Sequence, residues 1–344
     1  MQYNFRSDKT SRARKRLTRS VRAWGVFLAA TALTGCATTN GGALDTGTTT
    51  AYIYRGDDEL LTAHAPVFVI EHDEKPYNKI GTPSARYSSS NREEIFVDPS
   101  IPTIFHQIRT FQTEKGVYTN LIYRVHFERS PFTWAPFNAS AGKNVGVIAV
   151  VTLDEDKQPV LLTTVQSCGC YHAITPSNFL EPTAYPEKWN TDGVTVYGEH
   201  LPGRLDFPAP FSHDSKIAIT IRDGSHRTSD IRVAQIDQLS NIANTQYTRV
   251  APVEALKTIP LGDTSVSFYH ENGRKKGLVK GAYKPWETLL FGLWAWDSHV
   301  GQDREYASKE ESGHRFYTTL TASKKKRSDM WNYEGYLNHN GWKP

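Results

Sequence analysis

The sequence offers little of what recognisable catalytic motifs need. It has only three cysteines among 344 residues, and it contains no His-Glu-x-x-His metalloprotease motif, no Gly-x-Ser-x-Gly nucleophile elbow and no phosphate-cradling glycine loop. Internal repeats of solenoid or propeller length are also missing. A Ser-His-Asp triad or a pair of catalytic carboxylates needs no fixed spacing, so these two arrangements stay open. The motifs therefore name no reaction.

The sequence also lacks an apolar run long enough to span a membrane. Its one informative apolar run lies near the N-terminus. Ala23–Leu33 is apolar but falls well short of the roughly 20 residues that span a bilayer. It follows a cluster of eight Lys and Arg residues and precedes Leu33-Thr34-Gly35-Cys36. A basic region followed by an apolar one is typical of a secretory leader. The last four residues resemble the lipobox of bacterial lipoproteins.

This resemblance covers about a tenth of the chain and implies how the protein is processed. Residues 1–35 would be a cleaved signal peptide, and Cys36 would carry the lipid that attaches the protein to a membrane. The residue after the modified cysteine is Ala37 rather than Asp, which the family pattern associates with sorting to the outer membrane. We therefore expect a lipid anchor on the outer membrane that faces the periplasm, with the inner membrane or the cell surface as alternatives.

Removal of the leader changes the charge of the protein. The whole chain has a formal charge of +4, and the leader holds eight basic residues against the single acid Asp8, so the chain from Cys36 onward is net −3. A nucleic-acid partner normally needs a concentrated basic face. The composition therefore predicts no nucleic-acid partner.

The rest of the chain divides into a tether, a β-rich domain and a C-terminal segment. Residues 36–50 are small and polar and predict a flexible tether. Residues 51–280 show period-two alternation and turn signals. The predicted strands are Leu121–Glu128, Val145–Leu153, Pro159–Gln166, Val194–Tyr197, Lys216–Ile221 and Ser265–His270. We expect a mainly β fold, either a sandwich or a barrel-like core, with one short helix at Pro252–Lys257.

Residues 281–344 are richer in tryptophan and predict a helical segment that packs on the β domain. Apolar residues recur at helical spacing from Trp286 to about His299. Trp286, Trp294 and Trp296 fit two interpretations: core packing, which we favour, or a surface that stacks on glycans or touches a membrane. Asp303 and Arg304 follow on a polar segment, as groups of a site or as an ion-paired helix end.

The main candidate for chemistry is Ser167-Cys168-Gly169-Cys170-Tyr171-His172. If the strand from Pro159 continued through it, Cys168, Cys170 and His172 would lie on one face. Two sulfurs and an imidazole would then hold copper or zinc, with a fourth ligand from elsewhere, for which His200 is the first choice. A disulfide between the two cysteines, which an oxidising envelope compartment favours, and a pair of inert buried thiols are the other two interpretations. The spacing excludes the Cys-x-x-Cys motifs of haem attachment and of thioredoxin.

Two classes of function follow. The first, which we favour, is a membrane-anchored lipoprotein whose β domain is a non-enzymatic binding or structural unit, with an envelope protein or a glycan as a possible partner class. The second is a metal- or thiol-dependent envelope protein or enzyme centred on Cys168, Cys170 and His172. The composition does not decide whether the protein is an enzyme.

Overall fold

The computed structural model describes residues 47–134, 137–208, 211–241, 243–292 and 300–344. All of them belong to one compact unit, Asp45–Pro344. The leader, Cys36 and most of the predicted tether lie outside the described residues, as do Trp294 and Trp296.

The strands are β1 Thr49–Ile53, β2 Val67–Glu71, β3 Thr82–Tyr87, β4 Glu93–Asp98, β5 Thr103–Thr113, β6 Gly116–Ser130, β7 Gly142–Leu153, β8 Pro159–Gln166, β9 Ala173–Pro176, β10 Val194–Val196, β11 Glu199–Leu201, β12 Ser215–Ile221, β13 Thr228–Gln235, β14 Asn244–Tyr247, β15 Arg249–Pro252, β16 Ile259–Leu261, β17 Thr264–Val266, β18 Leu278–Tyr283 and β19 Gln302–Arg304.

Helices are short. They are α1 Glu59–His64, α2 Ile236–Ser240, α3 Pro285–Phe291, α4 Lys309–Ser312 and α5 Tyr333–His339, with 3₁₀ turns at Pro76–Asn78, Pro182–Ala184, Val253–Lys257 and Gly273–Lys275. None of the helices in the described part of the chain is long and apolar enough to cross a membrane. The mainly β fold with small helices towards the C-terminus is confirmed.

Two mixed sheets form the body of the protein. One has the strand order β13-β12-β2-β1-β14, and the other has the order β15-β5-β6-β7-β8-β9. Side chains from both sheets share the largest apolar cluster, in which Phe68 and Ile219 of the first sheet join Tyr123 and Val147 of the second. The two sheets therefore pack face to face around a common core.

A third layer covers the other face of the six-stranded sheet. Ile122, Ile148 and Leu161 lie on that face and form a second cluster with residues of the C-terminal segment, among them Phe316 and Trp342. The alternation in Leu121–Glu128 is typical of a strand with one buried face, but β6 is buried on both faces. Its second face, which includes Arg124 and His126, is also buried. Alternation within one strand cannot show that a distant segment lies over it.

Several predicted bounds change. The tether ends before Thr49, because Thr49 and Thr50 pair with β2. The strand predicted at Ser265–His270 stops at Val266, since the backbone N–H of Phe268 turns to the carbonyl of Leu256. The predicted helix at Pro252–Lys257 is a 3₁₀ turn at Val253–Lys257. Helix α3 spans Pro285–Phe291, and residues 293–299 of the longer predicted helix lie outside the described residues.

Candidate metal centre

The turn between β8 and β9 carries both cysteines. Gly169 lies in the left-handed region at φ +86°, and a Cβ atom there would lie 2.0 Å from the carbonyl oxygen of Tyr317. Tyr171 also has a positive φ, +51°. The strand that begins at Pro159 ends at Gln166, and the chain turns away at Gly169. Only glycine fits this position, because a side chain would collide with Tyr317. The shared face expected for Cys168, Cys170 and His172 does not form.

Glu287 of α3 completes a group with the two thiols. One ligand atom from each of Cys168, Cys170 and Glu287 lies within 4.8 Å of the other two. The thiol of Cys170 donates to Oε1 of Glu287 at 3.0 Å, and the Cys170 N–H donates to Sγ of Cys168 at 3.4 Å. Ligand atoms around a tetrahedral zinc lie about 3.5–3.8 Å apart, so shifts of about 1 Å produce that geometry.

The group is largely shielded from water. Cys168 and Glu287 are each 3% exposed, whereas Cys170 is half-buried and gives the group its contact with the surface. Oε2 of Glu287 is buried and has no hydrogen-bond partner among the described residues. A buried carboxylate oxygen without a partner is costly. A cation next to this oxygen would remove that cost. Both cysteines are free, without a disulfide between them.

Charged side chains surround the thiols. Nζ of Lys284 lies 2.9 Å from Oδ2 of Asp303, and both side chains are fully buried. Ser167, beside Cys168, donates to the other oxygen of Asp303. Burial by itself lowers the pKa of Lys284, but neighbouring negative charges, with Asp303 first, outweigh it and raise that pKa well above its usual value. Lys284 is therefore a fixed buried cation.

The hydrogen bond with Cys168, followed by burial, raises the pKa of the Cys170 thiol well above its usual value. Reactive cysteines in catalytic sites have lowered pKa values, because the thiolate is the nucleophile. Without a bound cation, Cys170 is therefore a protonated and poorly nucleophilic thiol. This does not suit thiol catalysis.

The predicted histidine ligands lie elsewhere. His172 packs its ring against Tyr336 of α5, with the centroids 6.2 Å apart, and burial lowers its pKa. His200 lies exposed on the β10–β11 hairpin. Neither joins the group around the thiols. Sequence reasoning found the two cysteines and missed Glu287, whose only signal was a single acid inside the apolar helix Trp286-Glu287-Thr288-Leu289-Leu290-Phe291.

Trp286, the neighbour of Glu287 in α3, packs against a different group of residues from the thiols. Its ring stacks on Phe132 with the centroids 5.5 Å apart, and it also contacts Trp134 and Phe137. Trp134 is 74% exposed. Trp286 is therefore part of an aromatic group that reaches the surface. The other two tryptophans of the predicted ligand surface are outside the described residues.

Comparison of the chain with protein-family models, with curated proteins and with solved structures finds no match.

Proposed function

We propose that this protein is a membrane-anchored envelope lipoprotein, attached through a lipid on Cys36, whose β domain binds a divalent metal ion. The binding site consists of Cys168, Cys170 and Glu287, and zinc is the metal that suits it best. The observation that carries this proposal is the convergence of three ligand atoms within 4.8 Å, one of them from a side chain far away in the sequence.

Donor chemistry supports zinc. Thiolate sulfur and carboxylate oxygen are both ordinary zinc ligands. Monovalent copper favours soft sulfur donors and makes poor use of a carboxylate. Glu287 therefore favours zinc over copper among the two metals expected from the sequence.

Charge balance also supports a divalent ion. With both thiols ionised, Cys168, Cys170, Glu287 and Asp303 carry four negative charges against the two positive charges of Lys284 and Arg304. A divalent ion makes this group neutral, whereas a monovalent ion leaves a net negative charge. A neutral group is cheaper to bury than a charged one.

Three protein ligands indicate an exchangeable site. Structural zinc sites usually have four protein ligands, whereas sites with three keep one position for water or for an incoming donor atom. The half-buried position of Cys170 gives that fourth position a route to the surface. Binding and release of metal at the membrane is the role we infer, which belongs to the non-enzymatic binding class that we favour from the sequence.

The proposal is tested by metal content. We expect the full chain, purified in detergent and dialysed against one equivalent of zinc, to retain one zinc per chain. Co²⁺ in the same site should give thiolate-to-metal charge-transfer absorption. Cys168→Ser and Cys170→Ser should abolish both signals, and Glu287→Gln should weaken binding at least tenfold, because a charged ligand is lost. Glu310→Gln, which removes an exposed carboxylate on α4, is the matched control and should bind normally.

Two results would contradict metal binding. One is a protein with two titratable thiols and no retained zinc. The other is a Cys168–Cys170 disulfide in protein isolated without reductant, detected as a loss of two mass units, which would assign the pair to redox chemistry or to structure.

A further inference from the structure

An exposed apolar patch lies beside the metal centre. We call it the apolar patch: it consists of Phe132, Trp134, Phe137, Trp286, Leu289, Leu290 and Phe291. Leu289 and Leu290 follow Trp286 by one helical turn and thus extend the face that bears it. Trp134, Leu289 and Leu290 are 74%, 61% and 50% exposed. Large contiguous apolar patches on a protein surface are typical of sites that contact a partner or a membrane.

The N-terminal end of the described domain lies at the same end as this patch. The backbone N–H of Thr48 donates a hydrogen bond to Oε2 of Glu74 at 3.0 Å. Lys75, which follows Glu74 in the chain, forms an ion pair with Asp223. Gly224, beside Asp223, accepts a hydrogen bond from Ser130 at 2.7 Å. Phe132 of the patch follows Ser130 by two residues. Only two loops therefore separate the point where the tether enters the domain from the start of the patch.

The tether is short enough to keep this end close to a membrane. Eleven peptide bonds join Cys36 to Gly47. A chain of that length reaches at most about 40 Å. A lipid on Cys36 therefore holds the patch at a high effective concentration against the bilayer surface.

From these observations we propose that the apolar patch docks on the phospholipid surface of the membrane to which the chain is anchored. This inference rests on the lipid anchor of the proposed function. It names the bilayer as the occupant because the tether enters the domain at the end that bears the patch.

The chemistry of the patch and its rim fits a lipid interface. Tryptophan, phenylalanine and leucine are the residues that enter the boundary between headgroups and acyl chains. Arg129 and Lys143 face each other across β6 and β7 at the base of the loop that bears Phe132, and both are exposed. Cations at this position attract anionic headgroups. Docking would also turn α3, and with it Glu287 of the metal centre, towards the membrane.

Brominated lipids test the proposal directly. The full lipidated chain is reconstituted in phosphatidylcholine–phosphatidylglycerol vesicles whose acyl chains carry bromine, which quenches tryptophan only near the hydrocarbon. We expect clear quenching relative to unbrominated vesicles. Trp134→Ser should reduce it, because the most exposed tryptophan of the patch is lost, and Trp189→Phe, which changes a half-buried tryptophan of another apolar cluster, should keep it.

A second measurement separates the patch from the anchor. Cys36→Ser removes the lipid-bearing residue, and this chain should sediment weakly with the same vesicles. Adding Trp134→Ser and Leu290→Ser should reduce its partitioning at least tenfold. Adding Tyr247→Ser should not, because this exposed tyrosine lies at the other end of β1, beside Ile53.

The outcomes are distinguishable. Absence of quenching in a chain that carries lipid on Cys36 would overturn the docking proposal and leave the anchor intact. Absence of lipid on Cys36, together with quenching when vesicles are added, would overturn the anchor and leave the patch as a membrane surface. A dimer that Trp134→Ser dissociates, or binding to isolated cell-wall glycan that this change abolishes, would assign the patch to that partner and overturn docking on lipid.

Discussion

His226 is a fully buried imidazole whose environment opposes protonation. Its ring stacks on Phe127 with the centroids 4.1 Å apart and the planes 7° apart. Burial lowers its pKa from 6.5 to about 3 in the folded protein. His64 behaves in the same way, with a pKa of about 4. Both side chains must stay neutral for the native packing to survive.

The direction in which stability changes with pH depends on whether the folded or the unfolded chain binds the proton more readily. Above pH 6.5 the imidazole of His226 is neutral in the folded and unfolded chains and contributes no pH dependence. Between pH 6.5 and about 3 the unfolded chain binds a proton that the folded chain refuses, so the free energy of unfolding falls by about 1.4 kcal/mol per pH unit. Below about pH 3 this loss is complete.

We therefore predict that His226→Gln makes unfolding less sensitive to acid. Urea denaturation at pH 7 and pH 5 should show a smaller drop in the free energy of unfolding for the variant than for the wild type, whatever packing it loses at pH 7. His200→Gln is the matched control, since His200 is exposed, and should leave the drop unchanged. Equal drops for wild type and His226→Gln would contradict the prediction.

The β8–β9 turn owes its shape to one glycine that meets a distant segment. Gly169 has a positive φ and faces the carbonyl of Tyr317. Gly273 also has a positive φ, +70°, but an added Cβ there would meet no atom within 4 Å. The two glycines differ only in what surrounds them, so they form a natural comparison.

We predict that Gly169→Ala destabilises the protein more than Gly273→Ala. Each change costs about 1–2 kcal/mol for a left-handed alanine. Gly169→Ala must also displace backbone, which should raise its cost by at least about 2 kcal/mol. Urea unfolding in the presence of a chelator measures both costs without a contribution from metal. Similar costs for the two variants would show that the turn adapts without disturbing Tyr317.

The elements show which parts of the fold local sequence can predict. Strands β7 and β8 were predicted nearly to their ends, because alternation and turn signals are local features of the sequence. The β8–β9 turn was not, since its shape depends on Tyr317. The two cysteines of the candidate site could be found in the sequence because they are only two residues apart. Glu287 reaches the pair only through the tertiary fold.

At the scale of the whole molecule, the C-terminal segment completes the second apolar cluster and the candidate site. It covers part of the second face of the six-stranded sheet and so buries residues such as Ile122 and Ile148. Helix α3, which belongs to this segment, supplies Glu287 to a turn of that sheet. No pattern within the sheet strands reports this covering layer, and this is why the candidate site could be predicted only in part.

Because the proposed site joins α3 to the β8–β9 turn, metal binding should stabilise the whole domain. An ion that binds only the folded chain raises the free energy of unfolding by about 2.7 kcal/mol at one hundred times its dissociation constant. We predict a rise of this size with zinc, measured by urea denaturation and reversed by a chelator. Mg²⁺, which prefers an all-oxygen site, should give no rise. Glu287→Gln should shift the response to higher zinc concentrations, and Cys168→Ser should remove it. A response that survives Cys168→Ser would place the stabilising zinc elsewhere on the protein.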